Sequence, residues 1–281
     1  MTAINSISRA LRRWSRHAVL EAYSSTAYIR GQLGNFDDSC CGVQIVLLHR
    51  IQPHEEKKFE QFVAWVVRNF KVVSYTQAIE IIESGERTEP TLAISFDDGF
   101  KDNLRAGEIL ERYGLSACFF VCPSIVGETC PEKIKEFSFG NLRKHDVRRF
   151  MDWKELEQLK SSGHEIGNHT MAHLCLKDLE KSEFLDQVGG ARNELMSRLG
   201  AVDHFSWPFG RFIHFNAEWI DEVLKLGHKS CASGKRGVHS PDHERGHDPA
   251  FDKTVMRNTI DMAWPLRHSQ YFLSCNLPAG K

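Results

Sequence analysis

Strand and helix signals alternate through most of this 281-residue chain, which predicts a parallel α/β fold, either a barrel or an open sheet. Three observations carry that expectation. Short apolar runs such as "VQIVLLH", "TLAISF" and "SACFFV" are bounded by polar or glycine-containing turns. Amphipathic segments with apolar residues at helical spacing lie between them. The chain is also long enough to bury a large core, and its 41% hydrophobic and 26% charged residues fit a globular protein. A net charge of −1 argues against nucleic acid or another strongly charged polymer as a partner.

Residues 1–41 read as an N-terminal helical extension and connector, and 42–281 as one catalytic domain. In the extension Ile4, Ile7, Leu11 and Trp14 recur at helical spacing beside Arg9, Arg12, Arg13 and Arg16. Such a helix could make peripheral contact with an anionic membrane surface. Packing against its own domain is favoured, because the apolar face is short. The start lacks the uninterrupted apolar core of a secretory signal, and nothing later reaches membrane-spanning length. The eight cysteines form no CxxC pair. A cytoplasmic protein with free thiols is therefore expected, with the inner membrane face as the alternative location.

Elements follow in order along the domain. "VQIVLLH" is a strand, and "EEKKFEQFVAWVVRNF" a helix with Phe59, Phe62, Val63, Val66 and Phe70 on one face. "KVVSY" is a short strand and "TQAIEIIESG" a helix stopped by Gly85. "TLAISF" is a buried strand, "NLRAGEILERYG" a helix, "SACFFV" a strand, "DWKELEQLKSSG" a helix and "HEIGNHT" a strand. A long helix is expected from Ser182 to Leu199. "HFSWPFG", "AEWIDEVLKLG", "KSCAS" and "TVMRNTI" continue the alternation. Two stretches without periodicity, 122–146 and 234–252, read as long loops of the kind that carry function.

Ligands of parallel α/β folds bind at the carboxyl ends of the strands. Three such ends are chemically distinctive: Asp97-Asp98-Gly99, "GNHTMAH" and "WPFG". His169 and His173 are four apart, and on the first turn of a helix both imidazoles would share a face. Two imidazoles and one carboxylate suit a catalytic zinc with an open position, and Asp98 can complete the set. Metal coordination lowers the pKa of water from about 15.7 toward about 7, and a neighbouring carboxylate adds on the order of 10²–10⁴ in rate as a base.

"SFDDGF", "GHEIGNHTMAH" and "FSWPFG", in that order, resemble the first three motifs of the polysaccharide deacetylases, the NodB-homology or carbohydrate esterase family four enzymes. The resemblance implies a distorted (β/α) barrel of about seven strands and a divalent-metal enzyme, with zinc the favoured ion, that removes acetyl groups from sugars. It implies Asp97 as catalytic base, Asp98, His169 and His173 as metal ligands, and Phe209 as the residue whose backbone N–H holds the oxyanion. Thr170 matches the family's hydroxyl residue and reads as a brace for the loop.

The chain departs from the family in two places. Ser206 stands where an arginine usually orients the base; Arg257 is the substitute candidate, with Arg211 as rival, and Asp261 with Trp264 faintly resembles the family's Asp-Trp motif. The family's acid is a histidine in a Leu-x-His near the C-terminus. His268 in "PLRH" sits in an apparent helix, so His49, closing the first strand, is preferred as the general acid in a circularly permuted arrangement. His239, His243 and His247 are spaced as a helix face, but Pro241 and Gly246 argue for a loop. The expected activity is hydrolysis of the N-acetyl group of an amino sugar in a polysaccharide or a lipid- or nucleotide-linked precursor. The rivals are a glycosidase using paired carboxylates, for which no second strand-end carboxylate is evident, and a non-catalytic carbohydrate-binding protein.

Overall fold

Residue parity along "TLAISF" builds the centre of the domain. Leu92, Ile94 and Phe96 pack outward under the helices, while Ala93 and Ser95 face the opposite way, into the barrel. The structure, a computed structural model, describes residues 18, 20–26, 42–144, 146–241 and 249–274. The amphipathic segment bearing Ile4, Ile7, Leu11 and Trp14 lies outside them, as do His243 and His247.

Among the described residues there are eight strands: β1 (Gly42–Leu48), β2 (Lys71–Val72), β3 (Pro90–Phe96), β4 (Cys118–Val121), β5 (Glu165–Asn168), β6 (His204–Ser206), β7 (Ser230–Ala232) and β8 (Asn258–Thr259). They pair in parallel in the order β7-β6-β5-β4-β3-β1-β8, with β2 beside the start of β3. The two edges meet through one short stretch. Val255 N–H donates to the Cys231 carbonyl (2.9 Å) and its own carbonyl accepts from Ser233 N–H (2.8 Å). Three residues on, Asn258 and Thr259 are in register with Val46 and Leu47 of β1. The last strand thus spans the gap, and the sheet is the expected distorted (β/α) barrel of seven strands in its main path. First and last strands are neighbours, as a permuted order requires.

Helices cover the outside. Glu56–Asn69 buries Phe59, Phe62, Val63 and Val66, the face its spacing predicts. Tyr75–Ser84 begins at a Ser74–Gln77 capping box and ends at Gly85, whose φ of 66° closes the helix without the Cβ clash another residue would meet. Trp153–Ser161 begins at an Asp152–Glu155 box. Among the described residues no helix is long and apolar enough to cross a membrane. The helical residues 20–26 are tied to the C-terminal helix (Leu266–Ser274) by Glu21, which contacts Arg267 and accepts a 2.8 Å hydrogen bond from the His268 ring.

One expectation is refined and one needs correction. The expected long helix from Ser182 to Leu199 is present as an unbroken run, Lys181–Leu185 and Ala191–Leu199 being continuous through a π-helical segment at Asp186–Gly190. Its Gly189-Gly190 pair lets the chain widen there. The supposed loop at 122–146 contains a helix, Pro131–Glu136, and a π-turn, Phe137–Asn141. Phe137 and Leu142 anchor it by packing with Phe100, Cys122, Ile125 and Phe150. These partners are distant in sequence and the helix is under two turns long, so no local period could announce it.

Candidate active site

Asp97 continues the inward parity of Ala93 and Ser95 one step past β3. It meets the side chain of Arg257, which lies between the halves of the closing strand and is completely buried. The guanidinium grips the carboxylate with two parallel bonds, Nη1 to Oδ1 (2.7 Å) and Nη2 to Oδ2 (2.8 Å). Its Nε donates to the Ser233 carbonyl (2.9 Å), Nη2 to Ser206 Oγ (2.5 Å) and Nη1 to Ser95 Oγ (3.3 Å). Burial pushes the Asp97 pKa up, but Arg257, with His169 and His49, outweighs it and holds the carboxyl below its ordinary range. Asp97 is thus ionised and fixed in direction.

The second aspartate escapes strand parity. Asp98 has φ 76° and Gly99 φ 68°, so the chain turns and both carboxylates face the barrel mouth. Asp98 Oδ1 lies 3.4 Å from His169 Nε2 and 3.3 Å from His173 Nε2, and the three buried ligand atoms fall within 4.8 Å of one another. Each imidazole is oriented from behind. His169 Nδ1 donates to the Ser206 carbonyl (2.7 Å) and His173 Nδ1 to the Asn141 carbonyl (3.1 Å). A carbonyl only accepts, so the Nδ1 protons are committed and each Nε2 of a neutral ring offers a lone pair toward Asp98. Two nitrogens, one carboxylate oxygen and this tautomer fit a divalent cation with open positions. Burial opposes the Asp98 charge, yet N–H donation and positive charge from His169 and His173, when their rings are protonated, hold its pKa well below the ordinary range.

The helix expected at His169–His173 is absent; the segment is an irregular loop. Left-handed backbone at Thr170 (φ 68°) and His173 (φ 54°) brings the rings together instead, 5.0 Å between centroids. Thr170 Oγ accepts from His173 N–H (3.0 Å), the brace its hydroxyl suggested. Asn168 Oδ1 in turn accepts from Thr170 N–H (2.9 Å). Among the described residues the five non-glycine positions with positive φ are Asp98, Arg143, Thr170, His173 and Phe209. All stand at this mouth, where strain of about 1–3 kcal/mol each is characteristic of functional sites.

His49 follows the last residue of β1, whose Leu48 is in register with Phe96, so it sits beside Asp97 at the strand ends. Its side chain is partly open to solvent. Desolvation lowers its pKa, with Asp98 and Asp97 pulling the other way and Lys144 adding to the depression. Phe209 has φ 64°, and its ring lies edge-on to His173 (4.8 Å) and His214 (5.1 Å). Gly210 beside it must be glycine: a Cβ there would come within 2.8 Å of Gly234 N.

A family model for polysaccharide deacetylases matches residues 84–231, more than half of the chain and the segment that holds all three strand-end motifs. The chain belongs to the polysaccharide deacetylase family. Solved deacetylase structures share its fold. IcaB from Ammonifex degensii superposes with a TM-score of 0.64 at 18% identity, over 84% of this chain and 98% of its own. The Streptococcus pyogenes deacetylase PplD, solved in complex with acetate, gives 0.63 at 16%, over 83% and 98%. The BpsB deacetylase domain from Bordetella bronchiseptica gives 0.59 at 14%, over 81% and 98%. At such identities the likeness is one of fold. A sequence search of curated proteins finds no match.

The remaining candidates stand apart from Asp97 and from the Asp98–His169–His173 cluster. Arg211 does not reach Asp97; its backbone carbonyl accepts from Trp207 Nε1 (3.2 Å) and its side chain is exposed. His268 is on the C-terminal helix, bonded to Glu21. His239 pairs through its backbone with Val43 at the opposite end of β1. Asp261 closes a local turn by accepting from Ala263 N–H (2.9 Å). Other site groups went unrecognised in the sequence. Ser206 counted only as a departure, yet its hydroxyl lies between Arg257 and Asp97 Oδ2 (3.3 Å). Ser95 was detectable from its parity with Asp97. Asn141 and Lys144, whose Nζ is 3.9 Å from Asp98 Oδ2, come from the aperiodic excursion and had no local signal.

Proposed function

We propose that this chain is a metal-dependent deacetylase that hydrolyses the N-acetyl group of an amino sugar, in a polysaccharide or a lipid- or nucleotide-linked glycan precursor. The observation that carries this reading is the adjacency of two carboxylates with different partners. Asp98 faces two imidazole nitrogens, while Asp97 is clamped by Arg257 with its Oδ2 3.9 Å from His169 Nε2. Asp98, His169 and His173 would hold the cation, zinc by its ligand chemistry, which supplies Lewis acidity and a water that ionises near neutral pH.

Asp97 takes the proton from the attacking water as the new C–O bond forms. It does so already ionised and aimed, so no reorganisation is needed at that moment. The Phe209 N–H donates to the acyl oxygen as charge develops there, and the strained φ of 64° sets its direction. As the C–N bond breaks, His49 gives a proton to the sugar nitrogen, leaving acetate and a free amine. The lowered pKa of His49 makes its protonated form a strong acid, which suits a poor leaving group. Acetate bound in PplD is consistent with the product class. A cytoplasmic enzyme at the inner membrane face would meet precursor rather than finished polymer, and cell fractionation tests that placement.

Acetate release from N-acetylated glycans, measured beside metal content, tests the activity. Asp97→Asn is expected to cut turnover by about 10²–10⁴ while metal is retained. Joint replacement of His169 and His173 by alanine should abolish metal binding; stoichiometric metal in that variant would refute the ligand assignment.

A further inference from the structure

The mouth carries charge that acetyl hydrolysis does not use. Arg143 follows the π-turn of the excursion, Lys177 follows the His169–His173 loop, and Arg211 follows Phe209. Three separate segments thus bring one exposed cation each to the same rim. Arg143 lies over the Phe209 ring, its guanidinium carbon 4.6 Å from the centroid, and it holds a left-handed φ of 53°. Cys175 Sγ, 3.6 Å from the His214 carbonyl, fixes the loop leading to Lys177 against the turn that begins at Arg211. His214 is where the three fields meet. Desolvation and then Arg211, Arg143 and Lys177 lower its pKa, a hydrogen bond to the Phe209 backbone opposing them.

Several cations elsewhere are paired with carboxylates, among them Arg50 with Asp102, Arg105 with Glu56, Lys229 with Asp203 and Lys253 with Asp221. Arg143, Lys177 and Arg211 have no ion pair with any described carboxylate. The whole chain has a formal charge of −1, so this positive rim is local and not a general excess. A further polar group beside it is unmet: His214 Nδ1 is buried without a hydrogen-bond partner.

We propose that the substrate carries a phosphate or diphosphate on the acetylated sugar, and that Arg143, Lys177 and Arg211 bind it beside Phe209 and His214. The proposal rests on the deacetylase reading and adds the substrate class. Guanidinium forks match phosphate oxygens in pairs, and three cations suit the double charge of a phosphate better than a neutral glycan. Strain at Arg143 is accounted for if the residue is held for an anion. The phosphate could join the sugar to a nucleotide or to a lipid. Leu174 and Ile213, exposed on the same two loops, offer apolar contact to a lipid chain.

Acetate release would be compared for four probes: a neutral N-acetylglucosamine oligosaccharide, N-acetylglucosamine 1-phosphate, a uridine-diphosphate-linked N-acetylglucosamine, and a polyprenyl-diphosphate-linked one in detergent micelles. The triple variant Arg143→Gln/Lys177→Gln/Arg211→Gln, with its fold checked by thermal melting, should raise KM for the phosphorylated probes at least about tenfold, with kcat and the neutral probe little changed. The better of the two diphosphate probes then identifies the source. Equal kcat/KM for neutral and phosphorylated probes, or an equal loss on both in the triple variant, overturns the proposal. If no probe releases acetate, the deacetylase reading fails, and calorimetric binding of the phosphorylated probes decides this one separately. Binding that the triple variant abolishes supports the anion site, and absent or unchanged binding removes it.

Discussion

Arg257 and Asp97 show how one side chain serves stability and chemistry together. Both are buried, and each supplies the charge that makes the other tolerable there. Arg257→Met would strand the Asp97 carboxylate and should cost about 3–5 kcal/mol in denaturant unfolding, with acetate release lost. Arg257→Lys keeps the charge but not the fork, so it should retain more stability than activity. Ser206→Ala removes a hydroxyl shared by both partners, and a loss of roughly 1–2 kcal/mol with reduced turnover is expected. Asp97, Asp98, His169 and His173 were legible because their spacing survives in the linear chain. Arg257 was legible only as a guess, since nothing local says which of several arginines lies inside a barrel. Ser206 was misread because its value depends on the arginine arriving from fifty-one residues further along.

At the scale of elements, the loop His169–His173 does what the expected helix was to do, by another route. Left-handed backbone at Thr170 and His173 needs support, and the Thr170 hydroxyl on His173 N–H and Asn168 on Thr170 N–H provide it. Thr170→Val keeps the shape and removes the hydroxyl. Metal affinity, read by competition with a chelator, should fall about 10–100-fold while the fold persists. The Phe209–Gly210 turn is equally constrained. Gly210→Ala should destabilise the domain by more than 1 kcal/mol, because both its φ of 62° and the Gly234 backbone at 2.8 Å oppose a Cβ. Helices announced themselves through caps and periodic apolar faces, as at Ser74 and Asp152. The Pro131–Asn141 excursion did not, although it supplies the carbonyl that orients His173.

For the whole molecule, closure of the barrel and its response to acid follow from contacts between distant segments. His228 Nε2 accepts from Asn168 Nδ2 (3.1 Å) and its Nδ1 donates to the Val223 carbonyl (3.1 Å), joining a helix end to β5. Burial lowers its pKa to about 4 against an ordinary 6.5, the Val223 carbonyl opposing. Below pH 6.5 the unfolded chain accepts a proton that the folded chain refuses. Stability from this site is therefore full above pH 6.5 and lost progressively down to about pH 4, on the order of 3 kcal/mol in all. Denaturant midpoints between pH 7 and pH 4 should fall less steeply for His228→Gln than for the parent; equal slopes would locate the acid sensitivity elsewhere. The sequence alone determined the α/β alternation, the strand-end motifs and the family, and it named the candidate ligands Asp98, His169 and His173. Each motif is written in residues close together in the chain, where periodicity and spacing act. Only the tertiary structure decided that β8 closes the barrel, that Arg257 and Ser206 hold Asp97, and that Asn141 orients His173. Those depend on groups far apart in the chain, such as Arg257 and Asp97, 160 residues distant, and β1 with β8, farther still, whose proximity exists only once the sheet has closed.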